Sequence, residues 1–310
     1  MHRMSDQVRE WGVIMAVGRT PSYAHLIVEQ GWNDYTREEH ETWKILYDRQ
    51  LEVLAPRACP AYLEAHKTLG FNATQIPDFH EVNERLRSLT GWEVVATSGL
   101  VKSKAFFDML VDRKFPSGNF IRRRDQLDYL EEPDIFHDLF GHIPLLTNQA
   151  YADYMFEYGK GGARAIKYKT TKNLARLNWW TIEFGLIKTE VGLRIYGAGL
   201  CSSFGEAQYC IDDPSAHHLQ FDLDRCMRTS VYINDFQPVY FVIDSFESLF
   251  EQAVNTDFSP MYESFKGLGE KQLAAEYLPF DLFAGDSVLR QGTQAYIDPK
   301  RQLLESEISI

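Results

Sequence analysis

No segment of this sequence approaches the roughly 18 consecutive apolar residues that a membrane-spanning helix requires. The apolar run near the N-terminus, Trp11–Val17, is short, follows a mixture of acidic and basic residues and has no small-residue cleavage site behind it, which argues against a secretory leader. Cysteine is scarce. Cys59, Cys201, Cys210 and Cys226 are the four in 310 residues, and none forms a CxxC pair. That excludes a disulfide framework and a cysteine-built zinc site, and predicts reduced, partly buried thiols in a cytoplasmic protein. No basic block stands alone, since the one run of three arginines, Arg122–Arg124, is followed by Asp125, and 32 Lys plus Arg stand against 44 Asp plus Glu, for a formal net charge of −12. Such a surface does not suit nucleic acid.

What is present suits a large core, with 45% apolar and 14% aromatic residues. The patterning predicts an α+β fold, predominantly α-helical with a few short strands, as one domain over residues 1–310. Residues 1–31 have weak periodicity and read as a loosely attached arm. Helices are predicted over Thr36–Leu54, where Thr36 and Glu39 form a capping box, and over Ala61–Leu69 and Asp78–Leu89. A short strand from Trp92 turns at Gly99 into an apolar helix, Ser103–Val111. Tyr151–Tyr158 reads as a helix and Gly159–Lys172 as a polar, glycine-containing loop. Asp235–Phe246, DFQPVYFVIDSF, suggests a short strand before a helix at Phe246–Ala253, and residues from about 265 to 310 form an extension without a motif or a long heptad repeat. His40, His66 and His80 lie in the early helices without nearby ligands and are expected to be ordinary surface or core histidines.

The chemistry concentrates in Tyr129–Asn148, YLEEPDIFHDLFGHIPLLTN. His137 and His142 are five apart, and five α-helical steps of about 100° would leave their side chains roughly 140° apart. The helix is therefore expected to end between them or beside His142, with Gly141 as the stop and Pro144 barring continuation. A carboxylate partner is offered by Glu183, which stands among Trp179, Trp180, Ile182, Phe184 and Leu186, where a bare charge would cost several kcal/mol. Two histidines and one carboxylate describe the facial triad of non-haem Fe(II) oxygenases, and His₂Glu sites also hold catalytic zinc.

These residues resemble the pterin-dependent aromatic amino acid hydroxylases through four blocks in family order: EPDIFHDLFGHIPLL, TIEFGL, YGAGLCSSFGEAQYC at Tyr196–Cys210, and DFQPVYFVIDSF. The resemblance implies His137, His142 and Glu183 as catalytic Fe(II) ligands. It implies a tetrahydropterin, tetrahydrobiopterin or a related reduced pterin, against Gly99, Leu100, Val101, Ser103, Phe106 and Asp138. It also implies amino acid binding by Arg122, Asp134, Trp179, Phe184, Ser202 and Ser203, with Arg122 gripping the carboxylate through its planar fork, Asp134 orienting it, and Ser202 supporting a metal histidine. The implied reaction is mono-oxygenation of L-phenylalanine to L-tyrosine with O2. Trp179 would crowd a larger indole substrate, and the apolar Ile233 offers no partner to a substrate hydroxyl. Asn178 and Val231 stand where many members of the family carry tyrosine. Without the C-terminal tetramerisation helix or an N-terminal regulatory domain, a monomer is expected. Tryptophan or tyrosine hydroxylation within the same family is the nearest alternative. A His₂Glu zinc hydrolase with Glu132 or Asp138 as base is weaker because no HExxH is present, and an aromatic-rich binding module with structural zinc is weaker still.

Overall fold

The computed structural model describes residues 20–128, 130, 132–233, 235–254, 256–265 and 277–293. Part of the expected arm (1–19) and most of the expected C-terminal extension (266–276 and 294–310) therefore lie outside the described residues. The described part of the arm is anchored. β1 (Ile27–Val28) pairs antiparallel with β2 (Glu93–Thr97), which pairs in parallel with β3 (Lys114–Ser117), and Tyr23 is buried with its hydroxyl on Asp112.

Helices dominate, and their ends are set by local chemistry. Thr36 and Glu39 close a capping box on the Arg37–Leu54 helix, Pro60 opens Pro60–Thr68 and Asp78 caps Phe79–Leu89. The Ser103–Val111 helix links β2 to β3 as a βαβ crossover, starting beyond Gly99, whose φ of +96° suits glycine alone.

The predicted loop over Gly159–Lys172 is corrected. One helix runs from Gln149 to Tyr168, capped by Asn148, and its glycines are interior. A Cβ at Gly159 would meet Leu110 Cβ at 2.8 Å and one at Gly162 would collide with the Phe107 ring, so these glycines let the Ser103–Val111 helix press against this one. Close packing here outweighs the low helix propensity of glycine.

A second, mixed sheet has the order β5-β4-β7-β6-β8, formed by β4 (Leu186–Thr189), β5 (Gly192–Ile195), β6 (His217–Gln220), β7 (Val239–Ile243) and β8 (Val288–Arg290). β7 is buried along its whole length, as a central strand flanked by parallel neighbours should be. The helix after β7 runs Phe246–Val254. All four cysteines are buried and free, and no described helix is long and apolar enough to cross a membrane.

Candidate metal centre

Both segments that carry the predicted metal ligands are wound as π-helices, His137–His142 and Trp179–Glu183. Their wide turns are closed by Ile143 N–H donating to the Asp138 carbonyl (3.3 Å) and Phe184 N–H to the Trp179 carbonyl (2.9 Å). Of the two expected helix ends, the one beside His142 is found and the one between the histidines is not: the backbone stays helical from one to the other, and the i→i+5 winding returns residues five apart to nearly one face. Pro144 does end it, opening a 3₁₀ turn over Pro144–Thr147. Gly141 is no stop. It lies inside the π-helix, where a Cβ would come within 2.8 Å of the Ala198 carbonyl oxygen. The opposite face is locked by Phe136 and Phe140, stacked at 4.7 Å and packed against Trp43 and Tyr47.

His137 Nε2 and His142 Nε2 are 3.1 Å apart, and the Glu183 carboxylate oxygens lie 3.3 Å from His142 and 3.8 Å from His137. All three donors fall within 4.8 Å of one another. A cation held at roughly 2.0–2.2 Å by each ligand places neighbouring donors about 3 Å apart, so this set fits one ion. The tautomer also fits. Ser202 Oγ–H donates to the Ala198 carbonyl (2.9 Å), so Ser202 Oγ accepts from His137 Nδ1–H (2.8 Å) and leaves Nε2 with its lone pair free. His142 Nδ1 has no hydrogen-bond partner among the described residues, and that ring is held by packing on Phe115 at 4.8 Å.

His137 and Glu183 are in the forms a ligand set needs, whereas His142 shares a proton-favouring contact with Glu183 that a cation would displace. Burial, reinforced by His142 alongside, pushes His137 down to about 4, so it is neutral at pH 7. For His142 burial acts downward too, but the Glu183 carboxylate outweighs it and the net shift is upward. Burial would raise Glu183, yet the charge and hydrogen bond of His142 hold it down to about 2, fully ionised. Asp138 differs: burial dominates and pushes it up to about 7, although Gly118 N–H donates to it at 2.8 Å.

A cavity of about 420 Å³ opens onto the three donors. Of the predicted residues it is lined by Gly99, Leu100, Val101, Phe106 and Asp138, with Leu100 left 77% exposed. Ser103 is exposed at the start of its helix and does not line it. Lining residues not predicted for the site from the sequence include Phe115, Gly118, Phe120 and Pro133, while Asn178 reaches Glu183 Oε1 at 3.5 Å.

The predicted substrate residues lie outside that lining. Arg122 and Asp134 are buried against each other, with Nε and Nη2 on the two carboxylate oxygens at 2.9 and 2.8 Å. The bidentate face of the fork, expected to face substrate, is therefore taken by Asp134. Nη1 is engaged only distantly, 3.5 Å from the Leu127 carbonyl. Trp179 and Phe184 pack together at 4.7 Å. Ser203 caps the Phe204–Asp212 helix through Glu206 N–H, a structural role that its place beside Ser202 did not reveal. Ile233 is 65% exposed and is not in the cavity wall.

Residues 30–266 match the family model of the biopterin-dependent aromatic amino acid hydroxylases. The phenylalanine-4-hydroxylase of Caulobacter vibrioides is 49% identical over 269 residues, covering 87% of this chain and 89% of the relative. That of Ralstonia nicotianae is 46% identical over 293 residues, 94% of this chain and 90% of the relative. The crystal structure of Chromobacterium violaceum phenylalanine hydroxylase bound to cobalt superposes with a TM-score of 0.82 at 44% identity, covering 88% of this chain and 96% of that one. The likeness spans the fold and both π-helical segments, leaving the zinc-hydrolase alternative without support, and this chain belongs to the biopterin-dependent aromatic amino acid hydroxylase family.

Proposed function

We propose that this protein hydroxylates L-phenylalanine to L-tyrosine with dioxygen and a tetrahydropterin, using Fe(II) held by His137, His142 and Glu183. The observation that carries the reading is the convergence of those three donors, 3.1 to 3.8 Å apart, on one wall of a cavity whose other walls are largely apolar. The names of the Caulobacter and Ralstonia relatives support phenylalanine, and the Chromobacterium enzyme bound to cobalt supports a metal-binding protein. When bound, iron and pterin supply the oxygen activation that no side chain here can perform.

The chain's own residues bind, orient and exclude water. Ser202 fixes the His137 ring through Nδ1. Gly99, Leu100 and Val101 offer backbone groups, and Phe106 an aromatic face, to a flat reduced heterocycle in the cavity. Asp138 adds a carboxyl poised near neutrality on the same wall. Arg122 would take the amino acid's carboxylate through Nη1 while Asp134 pins the rest of the guanidinium. Trp179 and Phe184, packed on each other outside the lining of that cavity, would form the aromatic wall for the substrate ring, and the bulk of Trp179 would disfavour the larger indole of tryptophan. Four buried free thiols and a net charge of −12 support a cytoplasmic protein that binds small molecules and neither nucleic acid nor membrane, and we propose that it acts as a monomer.

The test is kcat/KM for phenylalanine, tyrosine and tryptophan with one tetrahydropterin and added Fe(II). The reading expects a clear preference for phenylalanine. A preference for either of the others would move the assignment within the family.

A further inference from the structure

A buried glutamine joins Trp179 to the loop before β7. The Trp179 indole N–H donates to Gln237 Oε1 at 3.2 Å. Gln237 is only 2% exposed. Its Nε2 donates to the carbonyls of Tyr232 (2.5 Å) and Asp235 (3.4 Å), which fixes the amide so that its one acceptor faces the indole. Its backbone N–H donates to the buried Glu206 carboxylate at 2.8 Å, which also accepts from Tyr240 O–H at 2.7 Å. The amide is therefore held from three sides and cannot turn to follow a moving ring.

We propose that Gln237 is a positioning residue for the hydroxylation: by accepting from Trp179 Nε1–H it fixes the indole plane against Phe184 and so sets the width of the pocket that receives the substrate's aromatic ring. The inference rests on the reading that Trp179 walls that pocket. Trp179 is only partly buried, packed on Phe184 at 4.7 Å and against the core, and a hydrogen bond to a rigid acceptor fixes the tilt that such packing leaves its indole. Losing the acceptor frees the wall of the pocket without touching a metal donor.

The test uses Gln237→Met, of similar length and with only a weak sulfur acceptor, in the Fe(II)- and tetrahydropterin-supplied enzyme. KM for phenylalanine should rise by about tenfold with kcat changed less than about threefold, the pattern of lost substrate positioning. The phenylalanine-to-tryptophan ratio of kcat/KM should fall by a similar factor, and phenylalanine Kd on the metal-free protein should rise in parallel. In a Trp179→Phe background the same change should add less than about twofold, because the donor is already gone. If Gln237→Met fails to fold, replacing Trp179 by its benzothiophene isostere removes the N–H alone and should give the same rise in KM. Unchanged KM and ratio in whichever of these variants folds, or an equal effect of Gln237→Met with and without the indole, overturns the proposal. If Trp179→Phe alone leaves KM and the ratio unaltered, the pocket reading itself fails and this inference with it.

Discussion

Gly141→Ala adds one methyl group where the His137–His142 π-helix touches the Ala198–Ser202 helix. The new Cβ would stand 2.8 Å from the Ala198 carbonyl oxygen and 3.3 Å from its Cβ, so backbone must retreat, since no flexible side chain can yield. The Ala198–Ser202 helix cannot retreat easily, because Gly197 already lies so near the Glu183 carbonyl that a Cβ there would collide with it. Overpacking of this kind costs about 1–3 kcal/mol, and a backbone contact belongs near the top of that range; the better helix propensity of alanine offsets up to about 1 kcal/mol. The net loss is then about 2 kcal/mol, read as a fall in Tm of about 3 °C by calorimetry for a chain of this length. The same displacement moves Ser202, whose hydroxyl orients His137, so affinity for Fe(II) should fall by about 10- to 100-fold, as it does when a ligand's supporting hydrogen bond is lost. Ser202→Ala should reproduce the affinity loss with a smaller change in Tm. A Gly141→Ala protein with wild-type Tm and wild-type metal affinity would refute the claim that this glycine exists to admit the neighbouring helix.

Arg122→Lys replaces a fork by a point charge and should raise KM for the amino acid more than about tenfold, whereas an unchanged KM would leave Arg122 only its pairing with Asp134. Arg122→Met would strand the fully buried Asp134 and should destabilise by about 3–5 kcal/mol in urea unfolding; a loss below about 1 kcal/mol would contradict the buried pair. His66 is buried among Tyr47, Tyr62, Phe71 and Phe140 with neither ring nitrogen bonded among the described residues, and burial depresses it to about 3. The unfolded chain therefore binds that proton first, and stability should fall as pH drops below about 6.5, by about 2 kcal/mol at pH 5. His66→Leu should remove that part of the slope, and an identical pH profile for the variant would refute the assignment.

The three clustered donors were legible as candidate metal ligands because a polar donor in apolar surroundings stands out, as Glu183 does between Ile182 and Phe184, and because HxxxxH is an unusual pair. How the histidines meet was not legible, since a spacing read at the α-helical step has no term for π-winding. Gly159 and Gly162 read as loop residues because their partners, Leu110 and Phe107, are some fifty residues away in sequence. Helix starts at capping residues depend only on neighbours, and those of the Arg37–Leu54 and Phe79–Leu89 helices were placed to within a residue, Thr36 already as a cap. At Ser203 the sequence reading passed over a local role, the cap of the Phe204–Asp212 helix. Gln237 was missed, although a glutamine entering the apolar run VYFVI carries a signal: an amide about to be buried needs partners.

The central claim is that one Fe(II) on His137, His142 and Glu183 supports pterin-dependent phenylalanine hydroxylation. The direct measurement is to strip the metal, titrate Fe(II) into the wild type and into His137→Ala, His142→Ala and Glu183→Ala, and follow bound iron and tyrosine formed with a tetrahydropterin. The account predicts one equivalent of iron and full tyrosine formation in the wild type, with both lost in each folded variant. Tyrosine formation that survives in any of the three with a full equivalent of iron would contradict it.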